Sequence, residues 1–126
     1  MQACKLTINT SADGQEAEFS CPGEMKLSTF GATLRYRQEN ALVTLTLDGE
    51  TALVERVGDY TLKLFLKRGV RTVGSIGIGG NEGAVEVETS RVDYVIRKDS
   101  LLAMLHYDLI FGGEAQKMKL RISARL

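Results

Sequence analysis

The sequence is poor in several residue types, and each shortage narrows the structures and functions open to it. It has one proline, two cysteines, one histidine and no tryptophan among 126 residues, and its 16 basic residues are balanced by 16 acidic ones. No apolar run approaches the ~20 residues that a membrane-spanning helix needs, and the start of the chain lacks the apolar stretch of a signal peptide. We therefore expect a cytoplasmic protein without a membrane span. The zero net charge also argues against nucleic-acid binding, which normally leaves a basic excess.

What is present indicates one domain covering residues 1–126. Chains of this length commonly form a single domain, and a composition of 44% apolar and 25% charged residues excludes disorder. Short runs of β-branched and aromatic residues recur between glycine-containing turns, and no segment keeps an apolar stripe at helical spacing. The scarcity of proline fits strands whose amides are committed to ladders. We predict strands at residues 3–11, 15–21, 24–30, 32–38, 41–47, 50–57, 60–67, 70–78, 84–97, 101–111 and 115–125.

This pattern predicts an all-β fold, most simply a closed antiparallel up-and-down barrel of about 8–11 strands. The apolar phase slips within residues 84–97, so we expect a bulge near Ser90 or Arg91 that bends the strand for closure. We predict an interior lined by Leu45, Val54, Leu62, Leu64, Val92, Tyr94, Leu105, Tyr107, Leu120 and Ile122.

Turn chemistry predicts the register of several hairpins. The pair Asp48–Gly49 favours a two-residue type I′ turn, which would set Leu45 opposite Ala52 and Val43 opposite Val54. In the last hairpin, a two-residue loop at Gly112–Gly113, or a four-residue loop, places apolar side chains of both strands on one face. The opposite, solvated face then carries Met104, His106, Asp108, Lys117, Lys119, Arg121 and Arg125.

Two motifs, the glycine-rich run and the single histidine, invite a chemical interpretation, and a structural one suits each better. The glycine-rich run 74–80 lacks the spacing, the lysine and the following helix of a phosphate loop, so it indicates a bent strand and turn. His106 and Asp108 share a face as a base and its orienting acid would, but the predicted register sets them opposite lysines or an arginine, where cross-strand charge pairing explains them. A single histidine without clustered cysteines or carboxylates offers too few ligands for a metal.

The two cysteines flank the hairpin whose tip is Asp13–Gly14. A two-residue turn there pairs Cys4 with Gly23 and Leu6 with Cys21, which leaves the thiols diagonal rather than opposed. A disulfide needs closer backbones than this register provides, so we expect reduced thiols packed as small apolar groups.

Arg56 and Tyr60 form the most informative pair. A three-residue loop at 57–59 would turn Arg56 inward, opposite Tyr60, near a barrel mouth. There the guanidinium would bind a ligand carboxylate or phosphate while aromatic walls, with Tyr94 and Tyr107, cover the apolar part. The alternative is that Arg56 bends to solvent and pairs with Asp59 or Glu39.

The order of strands and turns, together with the segments Met25–Phe30, VGDYTLKLFLKRG (57–69), GAVEVET (83–89) and LHYDLIFGGEAQKMKLRI (105–122), resembles the YwiB-like family of small bacterial β-barrel proteins. The similarity covers nearly the whole chain. It implies a calycin-like, lipocalin-like barrel in a bacterial cytoplasm, with no established activity and no functional residues to carry over.

Two functions follow from these observations. The first is non-enzymatic binding of a small apolar or amphipathic ligand, such as one bearing a carboxylate, inside the barrel with Arg56, Tyr60, Tyr94 and Tyr107 as its site. The second is a protein-interaction or homodimerisation module with a side-chain-filled barrel, docking through edges near Pro22 or the glycine-rich strand. An enzyme is disfavoured because no paired carboxylates, nucleophile with base, or metal cluster has supporting spacing. We expect no cofactor.

Overall fold

The computed structural model describes residues 1–126 and contains ten β-strands and no helix. No helix is therefore available to span a membrane. The strands are β1 (Gln2–Ala12), β2 (Gln15–Leu27), β3 (Gly31–Gln38), β4 (Ala41–Asp48), β5 (Thr51–Val57), β6 (Tyr60–Lys67), β7 (Arg71–Ile78), β8 (Asn81–Ile96), β9 (Ser100–Phe111) and β10 (Glu114–Arg125).

The strands form one closed antiparallel barrel in which each strand pairs with its neighbours in sequence and β1 pairs with β10 to complete the ring. The predicted up-and-down barrel is confirmed. Because side chains alternate between the two faces of a strand, every strand sends alternate residues inward, where 24 buried residues form one contiguous core. The predicted lining residues all take part, although Leu62, Tyr94 and Leu120 are only partly buried.

Two predicted strands, 15–21 and 24–30, are in fact the single strand β2, which runs through Pro22 and ends at Leu27. Pro22 keeps its place in the ladder opposite Lys5 of β1. The pairing of β2 with β3 begins only at Gly23, opposite Tyr36. A proline has no N–H to donate to a second neighbour, so it is tolerated just beyond the last pair between β2 and β3. The segment Gln15–Pro22 consequently pairs on one side only.

The hairpin β4–β5 corrects the register predicted for Asp48–Gly49. Leu45 lies opposite Val54, and Val43 lies opposite Arg56, so the strands are shifted by two residues from the prediction. The loop is Gly49–Glu50, and of these only Gly49 has a positive φ, of 59°, whereas a type I′ turn needs two such residues. A shift of two residues leaves every side chain on its predicted face.

The next turn carries the same shift. Arg56 lies opposite Leu62 rather than Tyr60, and Val54 lies opposite Leu64, so residues 57–61 connect the last paired residues of the two strands. Arg56 nevertheless lies at an inward position of β5, as predicted.

Three other register predictions are confirmed. The last hairpin has the two-residue loop Gly112–Gly113, with Phe111 opposite Glu114. The first hairpin pairs Cys4 with Gly23 and Leu6 with Cys21, and both thiols are free. The bulge in β8 falls between Thr89 and Arg91, and the glycine-rich run forms β7 and its turn into β8.

Candidate functional site

The up-and-down topology gives the barrel two distinct ends. One end carries the odd-numbered turns, β1–β2, β3–β4, β5–β6, β7–β8 and β9–β10, and includes Arg56; we name it the Arg56 end. The other carries both termini and the remaining turns, and includes Tyr94; we name it the Tyr94 end.

Arg56 lies at the last inward position of β5, with only 14% of its side chain exposed. One guanidinium nitrogen, Nη1, donates a hydrogen bond to the carbonyl oxygen of Tyr60 at 2.8 Å, and Nη2 donates to Asp59 Oδ1 at 2.9 Å. The guanidinium carbon also lies 3.7 Å from the centroid of the Tyr60 ring. The hydrogen bond from Arg56 holds the pKa of Asp59 below its usual value of 3.8. Arg56 is thus inward and, at the same time, paired with Asp59 as the alternative expected, without Glu39.

Two further tyrosines complete this end of the core. Tyr107 on β9 and Tyr36 on β3 are both buried. Burial raises the pKa of the Tyr107 hydroxyl, and the neighbouring Tyr36 and Tyr60 raise it further. Burial is the larger of two causes that raise the pKa of Tyr36 to about 12, and the nearby Cys21 is the smaller. No hydrogen bond from the protein contributes to the pKa increase of either hydroxyl. We refer to Tyr36, Arg56, Tyr60 and Tyr107 as the arginine–tyrosine cluster.

Tyr36 was not among the residues predicted for the site. The signal for it is the alternation of Ala32, Leu34 and Tyr36 along β3, which places all three inward. Its ring also lies 6.3 Å from that of Phe19, at an angle of 50°, so an aromatic contact links β3 to the segment of β2 that is not paired with it.

Tyr94, by contrast, lies at the opposite end of the barrel from the other three predicted residues. Its hydroxyl donates a hydrogen bond to the Phe30 carbonyl oxygen at 2.7 Å. Burial raises the pKa of the Tyr94 hydroxyl, and the Gly49 backbone opposes this increase. The same Phe30 carbonyl oxygen accepts the Gly49 N–H at 3.4 Å. Tyr94 therefore joins the β2–β3 and β4–β5 turns and has no contact with Arg56.

A groove of about 650 Å³ lies beside the cluster and is lined by Tyr60 of the cluster and by Asp59, the ion-pair partner of Arg56. Its other walls are the β5–β6 and β7–β8 turns, including Gly58, Thr61 and the pair Gly79–Gly80. The groove gives solvent and small molecules a route to the exposed edge of the Arg56–Asp59 pair. No three His, Cys, Asp or Glu side chains lie together as metal ligands.

A family model described as a domain of unknown function, DUF1934, matches residues 3–122. The chain belongs to this family. The solved structure of the YwiB protein from Bacillus subtilis is similar to the DUF1934 barrel with a TM-score of 0.84 and 15% sequence identity, covering 98% of this chain and 91% of that one. At this identity the likeness shows the fold. No curated protein matches the sequence.

The resemblance to the YwiB-like family expected from the sequence is thereby confirmed for this DUF1934 protein, together with its all-β barrel architecture. The arginine–tyrosine cluster comes from the geometry of this chain alone, because the family description assigns no residue a role.

Proposed function

We propose that this protein binds a small amphipathic ligand with a carboxylate or phosphate group at the Arg56 end of its barrel, without catalysis. The observation that carries the proposal is the state of Arg56: its side chain is 14% exposed, while the carboxylate paired with it, Asp59, is 78% exposed. A buried guanidinium needs an anionic partner, and an exposed carboxylate is one that a ligand can displace.

The groups around Arg56 suit an acid-bearing ligand. A carboxylate or phosphate accepts two parallel hydrogen bonds from a guanidinium, and the Tyr36 and Tyr107 hydroxyls offer further donors nearby. The Tyr60 ring already covers one face of the guanidinium, so the bound charge would be shielded from water on that side. The apolar part of the ligand would lie in the groove beside Tyr60.

The packing of the interior supports a site at the barrel end rather than along its axis. Large side chains occupy the middle of the barrel, and at least twelve of them are almost completely buried. A tail entering between them would have to displace well-packed atoms. The grooves beside β1, beside Arg71 and beside Tyr60 are all lined mostly by surface residues.

The same groups support binding rather than catalysis. An arginine side chain stays protonated in proteins, and the raised pKa values of Tyr36 and Tyr107 keep both hydroxyls protonated near neutral pH. The cluster therefore contains donors and a fixed cation but no base that titrates near neutrality.

Calorimetry with octanoate, octyl phosphate and octanol tests this proposal. We expect the two anions to bind and octanol to bind about tenfold more weakly. Arg56→Gln should lose about tenfold in affinity for the anions, while Asp59→Asn, which removes the competing carboxylate, should bind them more tightly. Equal binding of octanol, or equal affinity in both variants, would overturn it.

A second candidate function rests on the free edge of β2. The segment Gln15–Pro22 pairs with β1 and lacks a partner on its β3 side, and such an edge accepts an added strand. Glu16 and Glu18 project outward there, and a symmetric pairing of two copies would bring these like charges together. This observation favours a basic strand from another protein over a homodimer.

Light scattering and hydrogen exchange distinguish these partners. For an edge that accepts a basic strand we expect a monomer, with the amides of residues 15–21 protected by a peptide of alternating lysine and valine. A peptide of alternating glutamate and valine is the matched control. A stable dimer, or equal protection by both peptides, would contradict this candidate.

A further inference from the structure

A surface groove of about 730 Å³ lies on the outer face of the barrel, away from the Arg56–Tyr60 pair. Its floor is β1, where the outward residues Asn9 and Ser11 are half-buried although they face solvent. The neighbouring strands β2 and β10 form its two walls. Short side chains on the middle strand and long ones on both neighbours make the trough.

The walls carry opposite charges in a regular arrangement. Ser11 lies opposite Glu16 on β2 and Lys119 on β10. Asn9 lies opposite Glu18 and Arg121 in the next outward row. Each row therefore consists of an acidic residue on β2, a small polar residue on β1 and a basic residue on β10. Because adjacent strands are about 4.8 Å apart, the acidic and basic strands are separated by roughly 10 Å.

None of these four charged side chains forms an ion pair within 4 Å. The ion pairs of the protein join Arg56 with Asp59, Arg68 with Glu50, Arg71 with Glu86 and Glu88, and Arg91 with Asp93. The charges in the groove are thus unpaired on both walls, although lysine, arginine and glutamate are long and flexible. Both walls are available to a molecule that spans the gap.

His106 extends the basic wall onto β9. It is half-buried, lies opposite Lys119 on one side and opposite Arg91 on the other, and lines the same groove. Burial lowers its pKa first, Arg91 and Lys119 lower it further, and the nearby Asp93 opposes them. The sequence predicted cross-strand charge pairing for His106. In the structure both of its cross-strand neighbours are cations, so neither pairs an opposite charge with it.

We propose that this groove binds a small zwitterion, with its carboxylate or phosphate between Lys119 and Arg121 and its ammonium group between Glu16 and Glu18. An anion alone would leave the acidic wall unpaired, and a diamine would leave the basic wall unpaired. A ligand with both charges, separated by the width of β1, satisfies the two walls together. The site is independent of the one at the Arg56 end.

Calorimetry with aminohexyl phosphate tests the proposal, because its extended chain spans the groove. Hexyl phosphate and diaminohexane are the controls that each lack one charge. We expect the zwitterion to bind about tenfold more tightly than either control. The variant Lys119→Gln/Arg121→Gln should weaken aminohexyl phosphate and hexyl phosphate alike. Glu16→Gln/Glu18→Gln should remove only the preference for the zwitterion.

A matched control variant and a second readout complete the experiment. Arg97→Gln/Lys98→Gln changes the charge equally at the Tyr94 end and should leave binding unchanged. In NMR titrations of the imidazole signals, bound phosphate should raise the pKa of His106, because an anion favours its charged form. Equal affinities for all three probes, or an unmoved His106, would overturn the proposal; loss of octanoate binding at Arg56 would not affect it.

Discussion

The guanidinium carbon of Arg56 lies 3.7 Å from the ring centroid of Tyr60, although the two residues are not cross-strand partners. The turn that follows Arg56 places its guanidinium over the ring of Tyr60, the residue that begins β6. This stacking, with the hydrogen bond to the Tyr60 carbonyl oxygen, holds a mostly buried cation at the barrel mouth.

Removing either member of this pair should destabilise the fold. We expect Tyr60→Leu to lower the free energy of unfolding by about 1 kcal/mol, through loss of the cation–π contact, and Arg56→Gln to lower it by about 2 kcal/mol. Urea denaturation of the wild type, both single variants and the double variant gives the coupling free energy between Arg56 and Tyr60. A coupling energy near zero would contradict the stacking.

Acid should weaken the barrel through Asp59. The Arg56 hydrogen bond lowers the pKa of Asp59 in the folded state below its ordinary value of 3.8, so the folded state binds fewer protons than the unfolded state at acid pH. The stabilisation is present above that ordinary value and disappears as the pH falls through the folded-state pKa. Thermal unfolding from pH 6 to about pH 2 should show a shallower acid limb in Asp59→Asn than in the wild type. Identical limbs would exclude this contribution.

Replacing Thr89 with valine should stabilise the protein. It is buried at the bulge of β8, and its hydroxyl is the only buried side-chain polar atom without a hydrogen-bond partner. Thr89→Val keeps the shape and removes the unpaired group, so the free energy of unfolding should rise by about 1 kcal/mol. The control is Thr72→Val, which removes a hydroxyl that donates to the Phe65 carbonyl oxygen and should destabilise. The prediction fails if Thr89→Val destabilises as Thr72→Val does.

Two strand glycines should respond oppositely to alanine. A Cβ at Gly74 in β7 would overlap the carbonyl oxygen of Lys63 on β6, whereas a Cβ at Gly83 in β8 would meet only Ile76 Cγ2, at 4.0 Å. We expect Gly74→Ala to cost about 2 kcal/mol or more, and Gly83→Ala to be neutral or slightly stabilising. Denaturation midpoints of the two variants decide between this account and a general intolerance of alanine in these strands.

The sequence predicted the faces of the strands better than their positions along the barrel. Alternation placed Val54, Arg56 and Tyr107 inward, and all three are inward. The β4–β5 register was wrong by two residues because Asp48 was placed in the loop, whereas Thr51 Oγ1 donates to its carbonyl oxygen at 2.8 Å across the turn. A slip of two residues preserves alternation, so no pattern of apolar residues reveals it.

The candidate site shows the same division. Alternation made Arg56, Tyr60, Tyr94 and Tyr107 plausible neighbours, since all four point inward. Both Arg56 and Tyr94 lie near the C-terminal ends of their strands, and β5 and β8 run in opposite directions, so Tyr94, hydrogen-bonded to Phe30, lies at the other end of the barrel from Arg56. Tyr36 enters the cluster through a ladder that starts at Gly23, and neither residue is near Arg56 in the chain.

By itself, the sequence determined the all-β fold, the bulge near Ser90 and the registers of the first and last hairpins, because local turn chemistry and period-two alternation specify these features. Tertiary structure alone decided that β2 continues through Pro22, that the β4–β5 and β5–β6 registers are shifted by two residues, and which polar side chains meet at each end. Those outcomes depend on strand stagger around a closed ring, and stagger is set by pairing across the whole barrel rather than by neighbouring residues.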